Sequence, residues 1–231
     1  MNILALDTSM GACSAAILRT SGGEQHLHAR QTEMPRGHAE ALMPMVEAVF
    51  AEAEIGAQDL DRIASTIGPG SFTGVRIGIA AARGLALVTN AQLYGTDTLT
   101  VMARAARLAG IEGPFAVAAD ARRGMLYFGL YDATGAKLDG PLLVSPDDAA
   151  ALLPEDFGLA VGSGASLLAE AASARGRTVE AAIDAVLETL QPSAAALASL
   201  AYESGETCAA LRPLYLRPPD AKPQAPELRR C

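Results

Sequence analysis

Apolar and polar positions along this chain change period repeatedly, from apolar runs and two-residue alternation to a helical rhythm and back. Asn2–Ser9, NILALDTS, reads as a buried strand ending in a polar turn, and Cys13–Thr20, CSAAILRT, as the strand that returns. A third strand around Glu24–Gln31 alternates polar and apolar residues. From Arg36 to Ala53 the period lengthens. Ala39, Leu42, Met43, Val46, Val49 and Phe50 share one helical face, and Pro44 is expected to bend that helix. Arg62–Gly68 is a strand that runs into the turn GPGS, and a helix of about five turns follows from Ser71 to Asn90. Ala91–Asp97 is a strand, and Leu99–Gly110 is a helix with a glycine stop.

The second half follows the same scheme. Pro114–Asp132 gives strand, turn and returning strand. Ser145 caps a helix that has Pro146 in its first turn. Phe157–Ala172 gives strand, glycine loop and helix, and Ser193 caps a last helix that ends before Gly205. ILALDTSMGACSAAIL from Ile3 aligns with AVAADARRGMLYFGLY from Ala116, pairing Asp7 with Asp120 and Gly11 with Gly124. The expected fold is therefore α/β, with two duplicated lobes of mixed sheets flanked by helices. Residues 1–105 form the first lobe and 106–216 the second, with the last helix, 193–204, placed to pack back on the first. Residues 217–231, rich in proline, are expected to be an extended or disordered tail.

Composition narrows the function classes. Half of the residues are apolar, enough for a substantial core, and aromatics are scarce, which suits close-packed helices. A formal net charge of −8 disfavours binding of nucleic acid by this chain alone, because a phosphate backbone selects a basic stripe. Cys13, Cys208 and Cys231 are odd in number and far apart, which argues against a disulfide scaffold or a cysteine metal site and fits a reducing cytoplasm. The start MNILALD lacks the basic residues and length of a signal peptide, and no unbroken apolar run reaches the ~18 residues of a membrane span.

Two lobes that each open on strand, Asp turn and strand resemble the actin/hexokinase superfamily, whose lobes are ribonuclease-H-like. Within it, ILALDTS, GHAEALMPMV, GPGSFTGVRIG, DARRGMLYFGLYD and RPLYLRP are similar to the TsaB family and span nearly the whole chain in order. That resemblance implies a non-catalytic cytoplasmic subunit of the bacterial complex that installs threonylcarbamoyl on the adenosine beside the tRNA anticodon. Its implied partners are a TsaD-like catalytic subunit, itself glycoprotease-like, and a TsaE-like ATPase. A homodimer of the free chain is also admitted, and tRNA is met only through the complex. The alternatives from the residues are a stand-alone ATP-dependent phosphotransferase of the actin-like fold and, more remotely, a glycoprotease-type peptidase.

The candidate residues bear on these readings. A TsaD-like metal site needs His-x-x-x-His on one helical face, but Leu42 stands four residues after His38, so no metal site is expected. His26 and His28 share a strand face without a third ligand, and HExxH is absent. Asp7, Thr8 and Ser9 in the first hairpin, and Asp120 and Arg122 in the second, stand where phosphates would sit. The GSG of Gly162–Gly164 would face an adenosine. Each turn also meets the needs of any tight hairpin. The reading adopted is a vestigial site, with no cofactor held by this chain alone and ATP or ADP bound only at a composite interface. GPGSFTG lacks the lysine of a phosphate loop and the spacing of a nucleophile elbow. Its glycines continue instead as a stripe of Gly74, Gly78, Ala81 and Leu85. Such a stripe lets a backbone approach closely, either the chain's own sheet or a partner helix. The resemblance favours a partner, met by this stripe together with Leu42 and Val46 of the preceding helix.

Overall fold

The computed structural model describes residues 1–181 and 190–217. The expected tail therefore lies outside the described residues, apart from its first residue, Arg217. The first lobe contains β1 (Asn2–Asp7), β2 (Ala12–Ser21), β3 (Glu24–Glu33), α1 (His38–Ala53), β4 (Arg62–Thr66), α2 (Phe72–Thr89), β5 (Gln92–Thr96) and α3 (Thr98–Leu108). The second contains β6 (Phe115–Asp120), β7 (Leu126–Tyr131), β8 (Lys137–Val144), α4 (Pro146–Leu152), β9 (Leu159–Val161), α5 (Ala165–Ala174), β10 (Glu180–Ala181) and α6 (Ala194–Glu203).

The two sheets have the same order, β3-β2-β1-β4-β5 and β8-β7-β6-β9-β10. In each, the first two pairings form an antiparallel meander and the later strands add in parallel through helical crossovers. Asp7 and Asp120 close their first strands at matching positions. Both lobes share one α/β topology, as the internal repeat implies, and it is the duplicated ribonuclease-H-like arrangement that the family resemblance implies. Two strands have no counterpart in the sequence reading. In β8 the Gly140-Pro141 pair reads as a turn, yet β8 is an edge strand, where proline costs no ladder bond. The two-residue β10 is too short to carry a period.

Alternation sends the two faces of each strand into different cores. Leu4, Leu6, Ala15 and Ile17 pack with Leu42, Val46 and Val49 of α1 and with Val75, Ile79 and Ala82 of α2. On the opposite face, Ile3, Ala5, Ala16 and Leu18 meet Ala194, Leu197, Ala198 and Ala201 of α6. The second sheet repeats this. Ala116, Ala118 and Phe128 face α4 and α5, while Phe115, Val117 and Tyr131 face Leu99, Met102 and Ala106 of α3. The last helix of each half thus covers the sheet of the other, and α3 and α6 also touch each other between the sheets. Polar anchors fix α6 at both ends. The Ala194 N–H donates to Ser14 Oγ at 2.9 Å, and the buried Arg62 guanidinium donates to the carbonyls of Ala201 and Ser204. A cation there complements the carbonyl end of a helix.

The glycine stripe of α2 packs inward, which corrects the expectation of a partner interface there. A Cβ on Gly74 would stand 2.0 Å from the Thr8 carbonyl oxygen. On Gly78 it would stand 2.9 Å from Thr8 Oγ1 and 3.2 Å from Ser65 Oγ. Leu42 and Val46 are buried in the core beneath the same helix pair, and Ala81 and Leu85 pack partly buried against it. The close approach that the stripe permits is made by the chain's own first hairpin. By length and apolar content α2 would also suffice to cross a membrane, with a third of it buried here and Arg76 and Arg83 within it.

Glycines on opposite sides of α2 should respond in opposite directions. Gly84 has open space around its Cβ position, so Gly84→Ala should stabilise the chain by about 1 kcal/mol through helix propensity. Gly74→Ala must displace a backbone carbonyl, and a loss of about 1–3 kcal/mol or more is expected. Chemical denaturation of both variants checks this, and a stable Gly74→Ala protein would contradict the packing.

Candidate functional site

The strand ends of both sheets meet at a cleft of about 560 Å³ between the two hairpins. The first lobe lines it with Met10, Gly11, Pro35, Gly70 and Ser71, and the second with Asp120, Ala121, Arg122, Tyr127 and Ser163. Gln191 and Arg217 complete it. The two halves of this duplicated site have diverged.

In the first hairpin, Asp7, Thr8 and Ser9 are all buried. Asp7 accepts hydrogen bonds from the Thr66 hydroxyl and, at 2.7 Å, from the Ser9 hydroxyl. Burial pushes its carboxyl up to about 6 even so, against the lowering effect of those donors. Thr8 Oγ1 donates to the Gly74 carbonyl at 2.7 Å, and the Ser9 carbonyl accepts from the Ser71 N–H at 2.7 Å. Gly70 lies so close that a Cβ there would stand 2.2 Å from the Ser9 oxygen. The chain's own GPGS turn and the first turn of α2 therefore fill the space beside this hairpin. His38 serves the same closure, with Nε2 3.1 Å from the Met10 carbonyl oxygen. Cys13 is buried on β2, and its thiol is pushed up to about 11 by burial and then by the Asp7 charge, which makes it a poor nucleophile.

The second hairpin stays open. Asp120 accepts from the Arg122 N–H at 2.7 Å, and its own N–H donates to Ser163 Oγ at 3.0 Å. The Arg122 guanidinium stands 3.7 Å from the Asp120 carboxylate and is largely exposed. Arg122 and Arg123 both have positive φ, a conformation that costs a non-glycine residue and shapes this tight turn. Of the predicted nucleotide residues, Asp120 and Arg122 therefore face the cleft, whereas Asp7, Thr8 and Ser9 do not line it. Gly162 and Gly164 pack against β6 and the Leu126 side chain, and only Ser163 of that loop reaches the cleft.

Sequence reading missed the outward face of α2. Phe72, Arg76, Ala80, Arg83 and Leu87 are all exposed and form one stripe at helical spacing. Leu87 and Val88, at 82% and 63% exposure, end it. Its signal was present in the sequence: α2 contains no acidic residue in a chain of net charge −8. Tyr215, which stacks on Phe72, had no such signal.

The buried Asp7 makes stability depend on pH. Below 3.8 folded and unfolded chains both hold the proton, and between 3.8 and about 6 only the folded chain does. Stability should therefore fall as pH rises through that window, by on the order of 3 kcal/mol from this group. Asp7→Asn removes the charge, so urea unfolding should show it gaining on the parent between pH 4 and pH 7. A constant difference across that range would contradict the burial of an ionisable carboxyl.

Comparison with known proteins bears on this geometry. The family model of TsaD, tRNA N6-adenosine threonylcarbamoyltransferase, matches residues 28–208. TsaB of Haemophilus influenzae, a tRNA threonylcarbamoyladenosine biosynthesis protein, is 30% identical over 230 residues, 94% of each chain. TsaB of Escherichia coli is 37% identical over 131 residues, a segment spanning 57% of this chain and 55% of that protein. YeaZ from Pseudomonas aeruginosa superposes with a TM-score of 0.75 at 30% identity, covering 93% of this chain and 99% of that one. A second Pseudomonas aeruginosa crystal structure, of a protein similar to peptidase YEAZ, gives a TM-score of 0.79 at 31% identity, covering 94% and 99%. Duplicated lobes, a shared order of motifs and near-complete coverage of a relative agree, and the chain belongs to the TsaB family.

Proposed function

We propose that this chain is a non-catalytic subunit in the biosynthesis of threonylcarbamoyladenosine in tRNA. It would pair with a TsaD-like catalytic subunit through the outer faces of α1 and α2, with a TsaE-like ATPase joining that pair and tRNA met only through the assembly. The near-full-length likeness to TsaB proteins supports the pathway. The closed first hairpin is the observation that carries the non-catalytic part. A phosphate clamp needs both hairpins open to a ligand, and here Asp7 is fully buried and engaged by Thr66 and Ser9. A metal-dependent peptidase site has no support among the described residues. No three His, Cys, Asp or Glu side chains converge there, and His38 is spent on the Met10 carbonyl.

The docking face follows from what α1 and α2 leave uncovered. Their inner faces are core, so a partner meets the outer ones. These carry Met43, Glu40 and Glu47 on α1 and the stripe from Phe72 to Leu87 on α2. Exposed apolar side chains among charges of separate sign suit a protein surface. A homodimer of the free chain would use the same face.

The phosphotransferase alternative rests on the open second hairpin, with Asp120, Arg122 and Ser163 in the cleft. Titration of the isolated chain with ATP and magnesium decides between the two, and no saturable binding is expected. Saturable binding abolished by Asp120→Ala would favour the alternative.

The interface is tested at Leu87, which is 82% exposed and free to vary in the isolated chain. Leu87→Lys places a cation near the carbonyl end of α2, so thermal unfolding of the free protein should be unchanged. Burial of that charge against a TsaD-like partner should cost at least tenfold in affinity, or ~1.4 kcal/mol. Unchanged partner affinity would place the interface elsewhere.

A further inference from the structure

One exposed cluster at the start of α2 is not accounted for by packing. The Arg76 guanidinium carbon lies 3.7 Å from the centre of the Phe72 ring and 5.7 Å from that of Tyr215. The two rings stack with centres 5.3 Å apart. Arg76 Nε donates to the Tyr215 hydroxyl at 2.7 Å. Among the described residues, no carboxylate lies within ion-pair distance of Arg76, and its two terminal nitrogens have no hydrogen-bond acceptor. Two large aromatic side chains on the surface have thus been ordered beside a cation without a counter-ion.

The chain invests in this arrangement from far away. Tyr215 belongs to the C-terminal segment, which is pinned at three points. The Cys208 N–H donates to the Leu93 carbonyl at 2.9 Å, Leu211 is buried over Gly95, and the Leu214 N–H donates to the Ile67 carbonyl at 2.7 Å. A Cβ on Gly95 would stand 2.6 Å from Leu211 Cδ2, and one on Gly68 would stand 2.6 Å from the Leu214 carbonyl oxygen. Tyr215 is thereby delivered to Phe72 by anchored backbone.

We propose that Arg76, held over the Phe72 ring and tied by its Nε to the Tyr215 hydroxyl, is a preformed receptor for a side-chain carboxylate of the protein that docks on α2, and that the C-terminal segment builds it. A guanidinium stacked on an aromatic face keeps its in-plane N–H groups free, and their fork matches a carboxylate bidentately. Holding the side chain in place before binding removes part of the ordering cost. The electrostatics select an anion, since Arg76 lies near the positive end of α2, whose first turn has no acidic residue. The apolar continuation through Ala80 to Leu87 and Val88 selects a protein rather than a nucleic-acid backbone.

This inference rests on α2 being the docking face, and the experiment separates the two. Affinity of the full chain for a TsaD-like partner is measured over a range of salt for the parent, Arg76→Ala, Arg76→Lys, Tyr215→Ala and Leu87→Lys, with thermal unfolding of each free variant alongside. Arg76→Ala should lose at least about tenfold in affinity and flatten the salt dependence. Arg76→Lys should keep the salt dependence but lose about threefold or more, because a lysine lacks the fork. Tyr215→Ala should weaken binding without changing unfolding of the free chain, which a merely structural role would not permit. If Arg76→Ala binds as the parent while Leu87→Lys does not, α2 docks the partner but the receptor is refuted. If neither variant matters, the docking face itself is refuted. If Arg76→Ala leaves assembly intact and weakens only tRNA binding by the assembled complex, the anion is a phosphate and the inference is overturned.

Discussion

Much of this structure depends on one close approach, that of the first turns of α2 to the turn between β1 and β2. Gly70, Gly74 and Gly78 present bare backbone to Thr8 and Ser9. Hydrogen bonds from the Ser71 N–H to the Ser9 carbonyl and from the Thr8 hydroxyl to the Gly74 carbonyl exploit the space so gained. A glycine inside a helix costs about 1 kcal/mol against alanine, and here backbone contacts that any side chain would prevent offset that cost. Because the helix reaches the hairpin, Asp7 is sealed from solvent and the first half of the duplicated site is filled by the protein itself. The same contact sets the rotation of α2 about its axis. With glycines inward, Phe72, Arg76, Ala80, Arg83 and Leu87 must face out.

The two lobes are held by exchange rather than by simple juxtaposition. Each lobe's last helix, α3 or α6, covers the inner face of the other sheet, so neither sheet buries both faces without its neighbour. Across the lobes, Lys137 Nζ of β8 donates to the Asp97 carboxylate at 2.9 Å, and Asp97 caps α3 through the Thr100 N–H. The cleft thus has walls whose spacing is fixed by shared core. The Gly11 N–H donates to Gln191 Oε1 at 2.9 Å across its floor.

Duplication followed by divergence explains the asymmetry of the cleft. Asp7 and Asp120 stand at equivalent strand ends, yet one is sealed with a raised carboxyl and the other is open beside Arg122. In the second lobe the helix equivalent to α2 begins at Ala165, and the Ser163 side chain, between Gly162 and Gly164, meets the hairpin at the Asp120 N–H. The filled half-cleft and the exposed, acid-free face of α2 are the features on which the proposed contact with other proteins rests. The C-terminal segment belongs to the same organisation, since it ties β5, the GPGS turn and α2 into one surface.

The sequence by itself determined most of the architecture, apart from the edge strands β8 and β10. Period changes placed strands and helices, Ser71, Ser145 and Ser193 marked helix starts, and the repeat of ILALDTS in AVAADAR implied two equivalent lobes. These signals are local, carried by side-chain alternation and capping within a few residues. The stripe of Gly74 and Gly78 was equally legible as a close contact, but spacing along a helix cannot say which neighbour makes it. Only tertiary packing decided that the neighbour is Thr8, some 66 residues away in sequence, and not a partner. Tyr215 was illegible for the same reason. Its place on Phe72 depends on where Leu211 and Leu214 are anchored, and such long-range contacts leave no periodic trace in the chain that makes them.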